Sequence, residues 1–193
     1  MRENLLPFDG ETSYLPGYFA PPEADSLFDE LNDGLNWSQE TARLFGRQIP
    51  LPRLTAWYGP TNYTYSGVTH PARPFSPPIQ HVCQSIEPVA SGLNCVLANL
   101  YRDGRDSVAP HSDDEALWGD RATIVSVSFG AARSFVLRHK RSGESVRVEL
   151  EHGSVLIMSG DTQNCWFHAI PKTRRVVGRR INLTFRHLVG LPV

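Results

Sequence analysis

The sequence has little cysteine, no long apolar run and no excess of charge of either sign. Cys83, Cys95 and Cys165 are odd in number, widely spaced and outside any CxxC pair, which indicates neither a disulfide framework nor a zinc ribbon. This cysteine usage predicts a reducing, cytoplasmic location. Asp9 and Glu11 precede any apolar stretch of signal-peptide length, and no segment approaches the roughly 18 apolar residues of a membrane span. We therefore expect no membrane partner.

The net charge of −1 excludes a generally basic coat for nucleic acid but allows a local basic patch. The sequence also lacks an internal repeat, a low-complexity tract and an interdomain linker. A chain of 193 residues suits one compact core. Such a domain buries about two-thirds of the surface that its unfolded chain exposes. We expect a single domain that works as a monomer.

Hydrophobic periodicity separates a helical front from a β-rich back. Helical spacing predicts helices over 20–35 and 77–90, and strand composition covers 52–67 with a turn at 59–62. From residue 95 onward, Gly, Asp, Ser or Pro separates seven short strand-like runs, which are CVLANLYR, TIVSVSFG, SFVLRH, SVRVELEH, SVLIMSG, CWFHAI and RINLTFRHL. This order predicts a mainly β fold with N-terminal helices (α+β), of the sandwich or jelly-roll type.

The stretch APHSDDEALWGD at 109–120 crowds one histidine and several acids. His111 and Asp113 are two residues apart, so in an extended segment both side chains leave one face, about 7 Å apart. This pair alone also fits a solvated acidic turn. His168 lies in the apolar run CWFHAI, where it is either a third ligand or a core histidine. Two histidines and one carboxylate form the facial triad of non-haem Fe(II) oxygenases.

The last strand-like run carries an unusual polar face. In RINLTFR, Arg180, Asn182, Thr184 and Arg186 alternate with apolar residues and therefore share one side of the strand. That side is either solvated or directed inward, where unpaired charge costs several kcal/mol. A ligand with two separated carboxylates would satisfy both arginines through planar, bidentate contacts. 2-Oxoglutarate is such a ligand, and facial-triad iron commonly uses it.

Seven motifs occur in order between residues 40 and 188, namely PRLTAWYG, YTYSG, NLYRDG, HSDDE, SVSFGAARSFVLRHK, HGSVLIMSGDTQNCWFHAIP and RRINLTFR. Together they resemble the AlkB family of Fe(II)/2-oxoglutarate dioxygenases, which remove alkyl lesions from nucleic acid. The resemblance implies one dioxygenase domain over 1–193. It implies N-terminal helices and nucleotide-recognition strands at 1–94, followed by a double-stranded β-helix, or jelly roll, at 95–190.

The resemblance also implies a complete catalytic site. The implied ligands of Fe(II) are His111, Asp113 and His168. The residues implied to hold 2-oxoglutarate are Asn99, Tyr101, Arg180, Asn182 and Arg186. Arg180 would pair with the distal carboxylate, and Arg186 would lie near the carboxylate at the metal. Iron, O2 and 2-oxoglutarate would then hydroxylate the methyl carbon of an N-methylated base, which releases formaldehyde.

A base stacked in a duplex cannot reach a buried metal, so this activity requires a flipped base or a single strand. The resemblance implies that Tyr63, Tyr65 and His111 border the base, although two tyrosines can also simply pack on a hairpin. Glu115 lies two residues beyond Asp113. We expect its carboxylate to accept a hydrogen bond from the exocyclic amino group of 1-methyladenine or 3-methylcytosine.

Contacts to DNA, or alternatively to RNA, are predicted at two basic segments and one aromatic residue. RHKRSG at 138–143, which includes Arg138 and Lys140, and KTRR at 172–175 could hold phosphates or could be solvated basic turns. Phe45 is either a core residue or an exposed wedge that fills the gap left by a flipped base.

Two other classes of protein stay open at this point. The chain could be a 2-oxoglutarate oxygenase that acts on a protein side chain or a small metabolite, which Tyr63, Tyr65, Glu115 and the basic segments oppose. It could also be a non-catalytic nucleic-acid-binding jelly roll, which the complete set of metal ligands and arginines opposes. Formaldehyde release from methylated oligonucleotides separates these hypotheses.

Overall fold

The computed structural model of the protein describes residues 3–44, 47–65 and 68–189, with side chains throughout except at 42–44, 47, 65 and 68. Within these ranges the chain forms thirteen strands and three α-helices. None of the helices in this described part is long and apolar enough to cross a membrane.

Most of the elements are short. The strands are β1 (Glu11–Leu15), β2 (Ser38–Leu44), β3 (Arg47–Tyr58), β4 (Tyr63–Tyr65), β5 (Val68–His70), β6 (Cys95–Tyr101), β7 (Val108–His111), β8 (Ile124–Gly130), β9 (Arg133–His139), β10 (Ser145–Leu150), β11 (Ser154–Ser159), β12 (Trp166–Ile170) and β13 (Arg180–Arg186). The helices are α1 (Pro21–Gly34), α2 (Pro77–Ile86) and α3 (Thr162–Cys165). A single 3-10 turn covers Ala116–Trp118.

Two antiparallel sheets form the framework. A seven-stranded sheet has the order β1-β11-β8-β13-β6-β3-β2, and a four-stranded sheet has the order β10-β9-β12-β7. Strands β4 and β5 pair as a separate hairpin. Each of the seven strand-like runs predicted from residue 95 onward contains a strand, so the mainly β fold is confirmed.

Buried apolar side chains cover both faces of the seven-stranded sheet. One cluster joins helices α1 and α2 to this sheet, for example through Leu31 on α1 and Phe129 on β8. A second cluster joins the two sheets, for example through Leu156 on β11 and Trp166 on β12. The fold therefore has three layers, in the order helices, seven-stranded sheet and four-stranded sheet.

The two predicted N-terminal helices form close to where periodicity placed them. Proline stands in the first turn of each, where its missing N–H has no intrahelical partner in any case. Helix α2 ends at Ile86, earlier than the predicted end at residue 90. Pro88 accounts for this difference, because it has no backbone N–H to donate to the carbonyl oxygen of Gln84, which accepts from the N–H of Glu87 instead.

Strand β13 lies in the centre of the large sheet, between β8 and β6. All seven of its residues are buried. Ile181, Leu183 and Phe185 belong to the cluster that faces the helices. Successive side chains of a strand point to opposite faces, so the polar side chains of β13 point into the space between the sheets. The interior alternative for this polar face is therefore the correct one.

Periodicity did not reveal strands β1, β2 and β7. Strand β1 has a mixed composition and becomes a strand by pairing with β11 at the edge of the sheet. Strands β1, β2 and β3 all precede residue 95, yet they belong to the same sheet as β6, β8, β11 and β13. The large sheet thus includes strands from both sides of the boundary expected at 94/95.

Replacement of Leu31 tests the packing of α1 on the sheet. Leu31 is fully buried, so Leu31→Ala should lower the free energy of unfolding by about 2–5 kcal/mol through lost burial and a residual cavity. Asp29→Ala, on the exposed side of the same helix, should change it by no more than about 0.5 kcal/mol. Urea unfolding measures both. Equal stability of the two variants would contradict the packing described.

Candidate active site

The three predicted metal ligands come together where strands β7 and β12 pair. His111 ends β7 and lies opposite His168 of β12, with 4.3 Å between the ring centroids. Asp113 follows just beyond the end of β7, so it reaches the site from a loop rather than from the strand. One ligand atom of each residue lies within 4.8 Å of those of the other two, so this group could hold a metal ion.

The hydrogen bond of His111 defines its tautomer. Its Nδ1 lies 2.9 Å from the carbonyl oxygen of Ala109. A carbonyl only accepts hydrogen bonds, so Nδ1 carries the proton and donates it. The lone pair therefore belongs to Nε2, which lies 3.9 Å from Oδ1 of Asp113. Donation from the second ring nitrogen to a carbonyl is the usual arrangement of a metal-binding histidine.

Asp113 is buried and held from two sides. Nη2 and Nε of Arg186 donate to its Oδ2 at 2.6 and 3.2 Å. Its backbone N–H donates to Oε1 of Gln163 at 2.9 Å. Burial opposes ionisation of Asp113, but Arg186 and the two histidines more than offset it and hold the carboxyl pKa at about 2. The carboxylate is therefore ionised at neutral pH.

His168 supplies a neutral imidazole to the same site. Burial, followed in weight by the neighbouring His111, lowers the pKa of His168 to about 3. Its Nδ1 is buried and has no hydrogen-bond partner among the described residues. A neutral imidazole is the form that binds metals, so the environment of His168 favours ligation over protonation.

Arg180 presents unpaired donors beside this group. The side chain is fully buried, and its Nη2 donates to the Ser128 hydroxyl at 2.9 Å. Nε and Nη1 of Arg180, and Nη1 of Arg186, are buried without a hydrogen-bond partner in the described part of the chain. The guanidinium of Arg180 also lies over the Tyr101 ring, 5.1 Å from its centroid. Buried donors of this kind require an acceptor, and an anion is the acceptor that suits two guanidinium groups.

Two asparagines complete the polar inner face. Nδ2 of Asn182 donates to the Ser126 hydroxyl at 2.7 Å. Oδ1 of Asn99 accepts from Nε of Arg53 at 2.8 Å. All eight residues predicted to bind iron or 2-oxoglutarate line one cavity. They are Asn99, Tyr101, His111, Asp113, His168, Arg180, Asn182 and Arg186.

Tyr63 forms part of the wall of this cavity. It is buried, and its ring packs against Trp57 and Trp118 with centroid distances of 4.6 and 5.4 Å. Its hydroxyl donates to Oε1 of Glu115 at 3.2 Å, and Nε1 of Trp118 donates to Oε2 at 2.7 Å. Each carboxylate oxygen can accept a second hydrogen bond, so Glu115 retains acceptor capacity.

The other predicted substrate contacts differ in how much the structure says of them. Phe45 lies outside the described residues, and of Tyr65 only the backbone, in strand β4, is described. Arg138 is exposed. Lys140 already donates to the carbonyl oxygen of Gln163 at 2.8 Å and lies over the Phe167 ring at 5.0 Å, so it is less available to phosphate than Arg138.

Comparison with known proteins identifies the family. The family model of the 2OG-Fe(II) oxygenase superfamily matches residues 11–186. The DNA oxidative demethylase ALKBH2 of Mus musculus is 37% identical over 185 residues, which cover 89% of this chain and 77% of that protein. The alpha-ketoglutarate-dependent dioxygenase alkB homolog 3 of Rattus norvegicus is 41% identical over 188 residues, or 92% of this chain and 64% of that protein. The chain belongs to the AlkB family of 2OG-Fe(II) oxygenases.

Solved structures support the fold of this AlkB-family chain. The structure of OsALKBH1 has a TM-score of 0.60 at 20% identity and covers 91% of this chain and 97% of its own. A 2OG-Fe(II) oxygenase-family oxidoreductase from Burkholderia pseudomallei has a TM-score of 0.60 at 15% identity. The match covers 91% of this chain and 84% of that one. The predicted jelly roll is therefore confirmed.

The chain spans only part of these relatives. It covers 64% of the length of alkB homolog 3 of Rattus norvegicus and 66% of that of alkB homolog 3 of Bos taurus.

The residues of the site fit the Fe(II) and 2-oxoglutarate that the AlkB family uses. Two imidazoles and one carboxylate are a suitable donor set for Fe(II). The unpartnered donors of Arg180 and Arg186 are where a dicarboxylate would supply acceptors. Fe(II) therefore matches the His–Asp–His group, and 2-oxoglutarate matches the unpartnered guanidinium donors.

Sequence reasoning missed three residues that support the site. Gln163 holds the backbone of Asp113, and Trp118 contacts both Glu115 and Arg186, whose guanidinium lies 5.0 Å from the ring centroid. Arg53 binds Asn99. The quoted stretch at 109–120 includes Trp118, but no spacing in the sequence connects Gln163 or Arg53 with the site.

Replacement of Arg180 tests the anion site. Arg180→Ala should weaken 2-oxoglutarate binding about 10- to 100-fold, because a hydrogen bond to a charged group is worth about 1.5–3 kcal/mol. Arg180→Lys should lose less, since it keeps the charge without the planar fork. Arg179→Ala, an exposed neighbour, should bind normally. Calorimetry with Mn(II) in place of iron measures binding without turnover, and melting temperatures check folding. Normal binding by folded Arg180→Ala would overturn the assignment.

Proposed function

We propose that the chain is an Fe(II)/2-oxoglutarate-dependent dioxygenase that removes methyl groups from N-methylated bases of DNA. The observation that carries this proposal is the buried His–Asp–His group in one cavity with unpartnered guanidinium donors. The names of the mouse relative, a DNA oxidative demethylase, and of the rat relative, an alpha-ketoglutarate-dependent dioxygenase, support the substrate and the reaction.

The proposed roles divide the cavity into two parts. His111, Asp113 and His168 hold the iron. The residues proposed to hold 2-oxoglutarate are Asn99, Tyr101, Arg180, Asn182 and Arg186. When bound, Fe(II) and 2-oxoglutarate would supply, with O2, the hydroxylation of the methyl carbon, with succinate and CO2 as co-products. The hydroxylated methyl group would then leave as formaldehyde and restore the unmethylated base.

The side chains around the cavity orient these groups. Arg186 holds Asp113 ionised and in one orientation through two hydrogen bonds. The Ala109 carbonyl holds the ring of His111 with Nε2 free. Arg180 is fixed by Ser128 and by its place over Tyr101, so its remaining donors face the co-substrate without rearrangement. Such preorganisation lowers the cost of binding and of reaction.

The methylated base would enter beside Tyr63. The ring of Tyr63 lines the cavity and is braced by Trp57 and Trp118, which makes it a rigid surface for stacking. A flipped base reaches such a surface, whereas a base within a duplex does not. We propose that Tyr63, Tyr65 and Glu115 contact the base and that Phe45, Arg138 and Lys140 contact the rest of the nucleic acid.

We propose that the chain works as a monomer. The cytoplasmic location stays a prediction. RNA is tested as an alternative substrate in the experiment below. The same experiment distinguishes DNA from a protein or metabolite substrate and an enzyme from a non-catalytic module.

Formaldehyde release tests the proposed function. The protein with Fe(II) and 2-oxoglutarate should release formaldehyde from DNA that contains 1-methyladenine or 3-methylcytosine, and none from unmethylated DNA. His168→Ala should release none, because it loses one of the three iron ligands. Methylated RNA is compared in parallel. If 2-oxoglutarate turns over without formaldehyde from any oligonucleotide, the substrate is of another class. If the iron-loaded protein consumes no 2-oxoglutarate under any condition, the chain is non-catalytic.

The lesion preference tests Glu115. Its carboxylate can accept from the amino group of 1-methyladenine or 3-methylcytosine but repels the carbonyl oxygens of 1-methylguanine and 3-methylthymine. Glu115→Ala should reduce the kcat/KM ratio of the first pair to the second about tenfold or more, since a charged hydrogen bond is worth about 1.5–3 kcal/mol. Asp114→Ala, an exposed neighbouring carboxylate, should leave the ratio unchanged. An unchanged ratio in Glu115→Ala removes this role of Glu115 and leaves the iron site standing.

A further inference from the structure

A second cavity lies on the outer face of the four-stranded sheet, next to the proposed active site. Its volume is about 610 Å³. Pockets that hold small molecules commonly measure about 300–1,000 Å³. Strand β3 contributes one wall, at Leu51 and Pro52, while strands β7, β9, β10 and β12 contribute the floor and rim. We call this cavity the outer groove.

The outer groove and the active-site cavity share a boundary. Arg53, Val108, His111 and Ile170 line both of them. His111 is therefore a proposed iron ligand on one side and part of the groove on the other. A chain-like substrate with one unit in the active site can place an adjacent unit in the outer groove without leaving the protein surface.

The floor of the groove is apolar. Val136 of β9 pairs with Ala169 of β12, and Phe167 of β12 pairs with Arg138 of β9. Phe167 is 38% exposed, so part of its ring is accessible in the groove beside Nζ of Lys140, which lies 5.0 Å from the ring centroid. An exposed aromatic ring on a sheet is a surface on which a nucleic-acid base can stack.

The rim of the groove is cationic. Arg138, Arg147 and Lys172 line it and are all exposed, and Arg53 lies deeper. Arg147 pairs with Val136, so Arg147 and Arg138 are diagonal neighbours on the same face of the sheet. No Asp or Glu is present among the described residues that line the groove. In a chain of net charge −1, this local excess of cations selects an anionic occupant.

The pocket on the other side of Asp113 has the opposite charge. Asp113, Asp114, Glu115 and Asp120 line it, with Arg121 as the cation among its described residues. A polyanion that approaches the active site is therefore repelled from this side and attracted to the outer groove. The charge distribution therefore favours approach of the nucleic-acid backbone from the side of the outer groove.

We propose that the outer groove binds the nucleotide next to the methylated base in a single-stranded segment of nucleic acid. Its base stacks on Phe167 over the apolar floor, and the neighbouring phosphates bind Arg138, Arg147 and Lys172. The combination of an aromatic platform with a cationic rim is the common way in which proteins bind single strands without reading sequence. This inference rests on the proposed function, because it assigns the methylated base to the adjacent cavity.

Substrates of different length test this site. Phe167→Ala should raise KM for a methylated five-nucleotide DNA about tenfold, as loss of one stacking contact does, and should leave KM for 3-methyldeoxycytidine monophosphate unchanged. Phe167→Trp should restore the oligonucleotide KM, because it restores a stacking ring. Arg141→Ala, which removes an exposed arginine of the same hairpin outside the groove, should match the wild type for both substrates. An equal loss on both substrates, or no loss on either, overturns the proposal.

Binding without turnover keeps this test separate from that of the proposed function. Fluorescence anisotropy with a labelled, unmethylated single strand should show weaker binding by Arg147→Ala and a salt slope smaller by about 0.7, since one phosphate contact is lost. The slope of Arg141→Ala should not change. If the wild type demethylates DNA but Arg147→Ala and Phe167→Ala bind as it does, the groove assignment is wrong. If the single strand binds through the groove but no methylated substrate turns over, the proposed function fails instead.

Discussion

The structure depends on the burial of two arginines on the inner face of strand β13. Each guanidinium costs several kcal/mol to remove from water unless it is paired. Arg186 is paired with Asp113, at 2.6 Å from its carboxylate. Arg180 has the Ser128 hydroxyl and the Tyr101 ring, and two of its nitrogens have no partner among the described residues. In the described part of the chain, Arg186 therefore has a carboxylate partner and one unpartnered donor, Nη1, whereas Arg180 has no anionic partner and requires one.

Arg186 connects the proposed metal site with the wall of the proposed base site. It holds the carboxylate of Asp113, and its guanidinium lies over the Trp118 ring. Trp118 packs against Tyr63 and donates to Glu115, which in turn accepts from the Tyr63 hydroxyl. These contacts connect the two parts of the cavity, and a packed interior transmits small displacements. The same cation thus orients the Asp113 carboxylate and supports the wall of the proposed base site.

Sequence reasoning found the features that depend on local pattern. The alternation in RINLTFR marked the polar face of β13, and the isolated His168 in an apolar run marked its partner in the cavity. It missed β1 and β7, which become strands through pairing with β11 and β12 rather than through their own composition. Contacts such as that of Gln163 with Asp113 join residues 50 positions apart, so they follow from the register of the sheets and not from any spacing.

A net charge of −1 is compatible with a nucleic-acid substrate because the charges are separated across the active site. The proposed lesions, 1-methyladenine and 3-methylcytosine, are cationic bases on an anionic backbone, so one substrate carries both signs within a nucleotide. Carboxylates lie beside the base cavity, at Asp113 and Glu115, and cations line the outer groove, at Arg138 and Arg147. In this proposed mode of binding, each sign of the substrate meets the opposite sign on the protein. A uniformly basic surface would hold the backbone equally well but would repel the methylated base, so the acidic and basic sides of the site serve a single mode of binding.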